Sequence, residues 1–237
     1  MIGKGKSISH GVAALEYDLA KEINGQAVAT EIARHELYGC TGAEMVQEMK
    51  PYHIDFPNVK NNCLRFEVSP SIEESATFTD ADWAELGNDF MQRMGLANHQ
   101  YIIIRHSGTE SKKEQAHLHI LANRVSLSGE LYRDNWIGKK ATEAANAIAK
   151  ERNFVQSQDI GKVNKAEIKE AMDGVLKKMQ GFDFTKFKEE LGKRGFKVRE
   201  ARASTGKLNG YYVTARSGTE YKASEIGKGY TLAHIER

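Results

Sequence analysis

Apolar and polar positions alternate along several stretches of this chain, and this two-residue period predicts strands. Apolar side chains at every second position predict a strand over residues 63–69. Runs rich in β-branched residues predict two more, over 100–106 and 116–125, and a short edge strand is predicted at 129–133. A second group of short strands, predicted at 196–203, 210–215 and 220–223, would form a small meander.

A 3.6-residue apolar period predicts the helices. The segments with this period are 11–23, 28–49 with a break near Tyr38, 79–96, 139–152, 165–179, 184–194 and 231–236. Residues 1–9 are predicted to be an extended or loop entry, and residues 51–62 a loop.

Two groups of strands with helices before, between and after them predict an α+β fold, and the connections permit antiparallel pairing. A linker predicted near 156–165 divides a domain of residues 1–157 from a second of residues 158–237. The second would be a small basic α/β module packed on the first. The chain ends inside an apparent helix, which indicates a segment of a longer protein.

Composition narrows the class of protein. Of the 237 residues, 40% are hydrophobic and 28% charged, as in ordinary globular proteins. No apolar run approaches the roughly 18 residues that a bilayer requires, and the N-terminus lacks the apolar core of a signal peptide. We therefore expect no membrane insertion and a cytoplasmic protein, whose Cys40 and Cys63 would remain reduced.

The net charge of +2 is unevenly distributed. Residues 161–237 carry 17 Lys plus Arg against 10 Asp plus Glu, a net charge of +7. Residues 1–160 carry 17 against 22, a net charge of −5. The basic final third permits a polyanionic partner, although a solvated helical surface has the same signature.

Three histidines indicate a metal site. His117 and His119 lie two residues apart in a predicted strand and therefore point to the same face. His106 ends the preceding strand, so pairing of the two strands would bring all three imidazoles together. Three imidazoles leave open positions on a catalytic metal ion and suit Zn²⁺, Mn²⁺ or Ni²⁺. Taken singly, each histidine would more often be an ordinary hydrogen-bonded core or surface residue.

Basic residues surround these histidines in sequence, and a metal ion with a cationic rim favours a phosphate substrate. The residues are Arg105, Lys112, Lys113 and Arg124. Either water or an activated tyrosine could then be the nucleophile.

Four segments resemble conjugative and mobilisation relaxases, which belong to the HUH endonucleases. His106 followed eleven positions later by His117-Leu118-His119 and ILANRV resembles the third relaxase motif. The opening, IGKGKSISHGVAALEYDLAKE, resembles the N-terminal motif, with Tyr17 at the place of the nucleophile. NCLRFEVSP and the ending GYYVTARSGTEYKASEIGKGYTL resemble a strand and the tail of the same domain.

The resemblance implies an enzyme that nicks and rejoins one strand of single-stranded or hairpin DNA at a transfer origin. Tyr17 would form a 5′-phosphotyrosine, assisted by Mg²⁺ or Mn²⁺ on the three histidines, with zinc or nickel as substitutes in a crystal. Accessory mobilisation proteins would be further partners. The implied fold is a central antiparallel sheet with helices on one face and DNA on the other.

Family members use an acidic residue to orient a metal-binding histidine. Here Ser107 and Gly108 follow the first histidine, a departure from many mobilisation relaxases, and the long step resembles relaxases of large conjugative plasmids. Glu67 is the candidate for this acid, and Glu16 and Glu110 are lesser options.

DNA contacts are expected from basic and amide side chains near the motifs and in the tail. The candidates are Lys4, Lys6, Asn123, Arg124, Lys222 and Lys228. Asn123 could instead bond a ligand histidine or cap the strand end.

Several alternatives remain open at this point. A rolling-circle replication initiator or a single-strand transposase would share the chemistry and differ in substrate. A non-catalytic single-stranded DNA-binding module would use its histidines structurally, and a metallohydrolase of small molecules would need no tyrosine. Tyr38, Tyr52 and Tyr101 are the other candidate nucleophiles, although Tyr101 should point away from His106.

Overall fold

A computed structural model describes residues 1–108 and 115–235, and the chain divides into two units, Met1–Ser157 and Gln158–Arg237. The strands of the first unit are β1 (Ile2–Ile8), β2 (Glu22–Ile23), β3 (Gln26–Ala27), β4 (Ala29–His35), β5 (Cys63–Ser69), β6 (His99–His106) and β7 (His117–Ser126). Its helices are α1 (Gly11–Leu19), α2 (Gly42–Met49), α3 (Ile72–Ser75), α4 (Asp80–Arg93) and α5 (Ile137–Glu151), with a 3-10 turn at Lys50–His53.

Within the described part of the first unit, five strands form one antiparallel sheet in the order β1-β5-β7-β6-β4. β2 and β3 form a separate hairpin. The predicted α+β fold with a central antiparallel sheet is therefore confirmed.

One face of the sheet packs against α4 and α5, where the apolar side chains of β5 meet Trp83, Phe90 and other core residues. Gly3 of β1 lies very close to α5. A Cβ built on it would lie only 2.4 Å from the carbonyl oxygen of Ala141. Glycine thus permits a close approach between strand and helix that a larger residue would prevent.

Part of the other face is covered by α1 and α2. Leu15 and Met45 from these helices are buried with Ile102 and Leu121 of the sheet in a second core. Helices therefore lie on both faces, rather than on one face as the resemblance implied.

Several predicted elements differ in the structure. Residues 29–35, predicted to be helical, form the edge strand β4, which pairs with β6. The predicted strand at 129–133 is a single bridge between Val125 and Leu131. The predicted linker near 156–165 is mostly helical, because α6 begins at Ser157.

Apart from the first residue of α6, the second unit contains α6 (Ser157–Leu176), α7 (Phe184–Lys193), β8 (Lys197–Arg202), β9 (Leu208–Thr214), β10 (Glu220–Lys222), α8 (Ala223–Ile226), a 3-10 turn (Lys228–Tyr230) and α9 (Leu232–Ile235). Its strands form the predicted meander, in the order β10-β9-β8 among the described residues. One face of this sheet packs against the helices in a core that includes Met172, Phe187, Tyr211 and Val213. Each helix that the described residues form in either unit is too short or too polar to span a bilayer.

Candidate active site

Three imidazoles meet at one end of the central sheet. The register pairs His106 of β6 directly with His117 of β7, and His119 lies two residues further along the same face. The ring centroids of His106 and His119 are 4.4 Å apart, those of His117 and His119 are 4.9 Å apart, and those of His106 and His117 are 5.4 Å apart. One nitrogen of each ring lies within 4.8 Å of the other two, a grouping that could hold a shared metal ion.

The outer nitrogens of two of these rings are held by backbone carbonyls. Nε2 of His106 donates to the carbonyl oxygen of Asp18 at 2.7 Å, and Nδ1 of His117 donates to that of Gln115 at 3.1 Å. Because the proton of each neutral ring is used in this bond, the lone pair lies on the other nitrogen.

The inner nitrogens of His117 and His119 are 3.1 Å apart, Nε2 to Nε2, so one proton is shared between them. A cation at this position would replace that proton, and His119 would then carry its proton on Nδ1. In the structure that nitrogen accepts a hydrogen bond from Nη2 of Arg65 at 3.3 Å and lies 3.6 Å from the carboxylate of Asp18, so a proton on it would replace the contact with Arg65 by one with Asp18. The donor set therefore fits a metal ion without rearrangement of the strands.

Burial favours the neutral form of two of these imidazoles, those of His106 and His119. Desolvation lowers the pKa of His106 below its usual value, and the neighbouring charges of His117, Lys21 and Arg65 lower it further. Desolvation, followed by the charges of the other two histidines, lowers the pKa of His119 to about 2. Neutral imidazole is the form that binds a metal, so both side chains are ready to act as ligands at pH 7.

An ion pair between Asp18 and Arg65 lies beside the histidines. Asp18 on α1 is almost fully buried and accepts hydrogen bonds from Nε and Nη2 of Arg65 on β5, the former at 3.1 Å. Burial raises the pKa of the Asp18 carboxyl, and the hydrogen bond and charge of Arg65 oppose that rise. Asp18 thus contacts His106 through its carbonyl oxygen and lies beside His119 through its carboxylate.

The analysis of the sequence did not single out Asp18. The signal was present, because Asp18 continues the buried stripe of α1 formed by Ala14 and Leu15. A charged residue in the apolar stripe of a helix marks a buried polar contact.

Tyr17 directly precedes Asp18 on α1, so their α-carbons are ~3.8 Å apart. Its side chain is 56% exposed. Nζ of Lys21, one helical turn later, donates to the phenol oxygen at 2.7 Å and lies 4.9 Å from the ring centroid. The phenol is accordingly open to a substrate and already faces a positive charge.

Glu67, the acid predicted from the sequence, lies opposite His119 in the strand register. Its carboxylate bonds Nζ of Lys4 at 3.0 Å on the neighbouring strand β1. A depression of about 210 Å³ beside His119 is lined by Lys4, Lys6, Arg65 and Glu67, among others. The structure therefore brings the predicted Lys4, Lys6 and Glu67 to the histidines but places Asp18, rather than Glu67, beside Nδ1 of His119.

Two predicted DNA contacts are held elsewhere. Asn123 lies on the histidine face as predicted but is fully buried, and its amide bonds His53 and Gln100. DNA cannot reach it there, so its role is to satisfy buried polar groups. The guanidinium of Arg124 donates hydrogen bonds to the carboxylate of Asp134, at 2.6 Å, and to two backbone carbonyls. These contacts within the protein occupy its donors.

The remaining candidates are more scattered. Glu16 accepts a hydrogen bond from the backbone of Ala43 at the start of α2, and Tyr101 lies in the core on the opposite face of the sheet. Lys222 and Lys228 are exposed in the second unit. Glu110, Lys112 and Lys113 lie outside the described residues.

Residues 17–154 match the family model described as the MobA/VirD2-like nuclease domain of relaxases. The match covers more than half of the chain and includes Tyr17 and the three histidines. The chain therefore belongs to the relaxase family, and its family is of the HUH type that the motifs resemble.

Two solved structures of the conjugative relaxase TrwC in complex with OriT DNA are distantly similar. The metal-free structure is 10% identical over 87% of this chain and 74% of that chain, with a TM-score of 0.39. The metal-bound structure is 11% identical over the same shares, with a TM-score of 0.37. Likeness this distant transfers no residue role. No curated protein matches the chain.

Proposed function

We propose that residues 1–157 form a relaxase catalytic domain that nicks and rejoins one strand of single-stranded or hairpin DNA at a transfer origin. The observation that carries the proposal is the convergence of three imidazoles beside a helix that exposes a tyrosine. Membership of the relaxase family supports it independently. A non-catalytic DNA-binding module would have no need for three ring nitrogens within 4.8 Å of one another.

His106, His117 and His119 would hold a divalent ion, Mg²⁺ or Mn²⁺. When bound, such an ion polarises a phosphate oxygen and stabilises the charge that develops on it. The inward nitrogens and the burial that lowers the pKa of His119 support this assignment.

Tyr17 would be the nucleophile. Its phenol oxygen attacks the scissile phosphorus, a new P–O bond forms, and the bond to the 3′-oxygen of the departing strand breaks. The phenol proton is lost to water, and the 3′-oxygen takes up a proton to become a hydroxyl. The 5′-phosphotyrosine link retains the phosphodiester energy, so attack by a 3′-hydroxyl reverses the reaction and reseals the strand.

Positive charge around the phenol supports this role. The ammonium of Lys21 donates to the phenol oxygen, where it would stabilise negative charge as the proton leaves. Lys4 and Lys6 border the depression beside His119, where the phosphates of a strand would lie. Asp18 would orient His119 through Nδ1, as carboxylates generally orient metal-binding imidazoles.

The test is covalent capture of DNA. The chain is incubated with Mn²⁺ and labelled single-stranded oligonucleotides tiled across the DNA around its gene, and adducts are separated on a denaturing gel. We expect an adduct with the wild type and none with Tyr17→Phe. Tyr38→Phe is the matched control, because Tyr38 is also exposed but lies beside Glu36. An adduct that survives Tyr17→Phe would overturn the assignment.

Metal binding is tested apart from activity. Titration with Mn²⁺, followed by electron paramagnetic resonance, should show one site per chain that weakens in His106→Gln, His117→Gln and His119→Gln. A stoichiometry or affinity unchanged by these substitutions would contradict the proposed ligands.

A further inference from the structure

The small sheet of the second unit has an open face centred on Tyr212. In the register, Tyr212 of β9 lies directly between Arg199 of β8 and Lys222 of β10. Lys197 and Glu220 flank this row on one side and Gly210 on the other. We call these six residues the Tyr212 face.

Alternation along the strands decides which face is open. Val198, Tyr211 and Val213 point to the opposite side and are buried against α6 and α7. Tyr212 is only half-buried, and Lys197, Arg199 and Lys222 are exposed. An aromatic ring at the centre of a solvent-exposed sheet face contributes nothing to that core.

Positive charge surrounds the ring. The guanidinium carbon of Arg199 lies 4.1 Å from the ring centroid of Tyr212. Glu220 binds this guanidinium with two hydrogen bonds, of 2.8 Å and 2.6 Å, and so neutralises one charge. With Lys197 and Lys222 on the same face, two positive charges remain in excess.

There is also room beside the ring. Gly210 lies two residues from Tyr212 on the same face, and apart from its two chain neighbours no described residue has a heavy atom within 4 Å of a Cβ built on it. A planar group can therefore enter next to the phenol ring without displacing any of these residues.

We propose that the Tyr212 face binds single-stranded DNA, with a base stacked on Tyr212 and backbone phosphates on Lys197 and Lys222. Proteins bind single strands by combining aromatic platforms with cationic grooves, and the Tyr212 face offers both. The net charge of +7 over residues 161–237 is complementary to a polyanion. The inference rests on the proposed function for its choice of DNA, since a nicking enzyme generates a single strand.

Duplex DNA fits less well, because its bases are stacked on each other and cannot stack on a tyrosine. An acidic protein would use the lysines but would gain nothing from the open ring. Binding that depends on the aromatic ring is therefore the property that distinguishes the proposal.

The first experiment measures equilibrium binding of the full chain to a labelled twelve-residue oligothymidine by fluorescence anisotropy in EDTA, so that no cleavage occurs. Stacking of one base contributes about 1–3 kcal/mol, so Tyr212→Ala should weaken binding by roughly 5- to 150-fold. Tyr212→Phe, which keeps the ring, should bind within about twofold of the wild type. Tyr38→Ala removes a ring that is more exposed than Tyr212 but lies in an acidic setting, and it should have no effect.

A second variant guards against a folding artefact. Gly210→Val leaves Tyr212 in place, suits a strand backbone and fills the space beside the ring. It should weaken binding several-fold without lowering the Tm. Lys222→Gln should reduce the slope of log affinity against log salt by about 0.7, the value for one phosphate contact on a single strand.

A localised readout separates the two units. Photocrosslinking to an oligonucleotide that contains 4-thiothymidine should label a peptide that includes Tyr212. Three outcomes would each overturn the inference. They are binding that is unaffected by Tyr212→Ala, crosslinks that are confined to residues 1–157, and tighter binding of oligouridine than of oligothymidine. None of these outcomes depends on the Tyr17 adduct, so the inference and the proposed function can fail separately.

Discussion

Asp18 and Glu67 are the two candidates for the carboxylate that orients a metal-binding histidine, and the structure favours Asp18. Asp18 is 2% exposed, and its carboxylate lies 3.6 Å from Nδ1 of His119. Glu67 is 37% exposed, and its carboxylate bonds Lys4. Replacing each by its amide keeps the shape of the side chain and removes only the charge.

The expected effect on metal binding follows from the contact of Asp18 with His119. Loss of a carboxylate that orients a metal ligand typically weakens metal binding by about 10- to 100-fold, or roughly 1.4–2.7 kcal/mol. Asp18→Asn should therefore weaken Mn²⁺ binding by that factor. Glu67→Gln should change it by less than about twofold, because its carboxylate is held by Lys4 instead.

For the free energy of unfolding, by contrast, we expect little loss when the charge of Asp18 is removed. Burial raises the pKa of Asp18 by more than Arg65 lowers it, so the carboxylate is a net cost to the folded state. Asp18→Asn should consequently leave the free energy of unfolding within about 1 kcal/mol of the wild type in EDTA. Asp18→Ala removes both acceptors from the guanidinium of Arg65 and should cost about 1–3 kcal/mol.

The assay combines Mn²⁺ titration of the full chain with urea unfolding in EDTA for Asp18→Asn, Asp18→Ala and Glu67→Gln. If Glu67→Gln weakens Mn²⁺ binding tenfold while Asp18→Asn does not, the structural assignment of the acid is refuted. A charge retained at a cost in stability would mark Asp18 as a functional residue.

Three further outcomes are expected. Lys21→Met should slow formation of the Tyr17 adduct several-fold at unchanged Tm, and Lys21→Arg should restore most of the rate; an unchanged single-turnover rate would contradict the role of the ammonium. Gly3→Val should lower the free energy of unfolding in urea by about 1–3 kcal/mol or more, because its Cβ would lie 2.4 Å from the carbonyl oxygen of Ala141, and a stable variant would contradict the close packing. Burial lowers the pKa of His99, so its neutral form stabilises the fold above pH 6.5 and this contribution is lost as the pH falls below that value. Unfolding in urea at pH 7.5 and 5.5 should show that His99→Gln reduces the loss of free energy of unfolding between these pH values by about 1 kcal/mol. Identical losses in the variant and the wild type would refute this assignment.

Strand alternation predicted the histidine cluster because the relevant contacts are nearly local. The two-residue period places His117 and His119 on one face in any regular strand. Pairing of the preceding strand with this one then sufficed to add His106. The geometry needed no knowledge of the remaining fold.

The same reasoning was wrong for β4, for an identifiable reason. A bulge between Glu31 and Ala33 interrupts the register of this strand, so apolar positions do not alternate along it. Its alanine, glutamate and arginine side chains also favour helices. Only pairing with β6 at the edge of the sheet makes this segment a strand.

By itself, the sequence determined the α+β class, most of the elements and the convergence of three imidazoles, because these depend on period and short-range order, whereas the candidacy of Tyr17 came from the resemblance to relaxases. Only the tertiary structure decided that Asp18, rather than Glu67, lies beside Nδ1 of His119, and that Asn123 is buried. Both outcomes depend on how α1 and the turn at Lys50–His53 pack across the sheet. Packing between elements distant in the chain leaves no period in the sequence, so the partner of a polar side chain is known only once the layers are assembled.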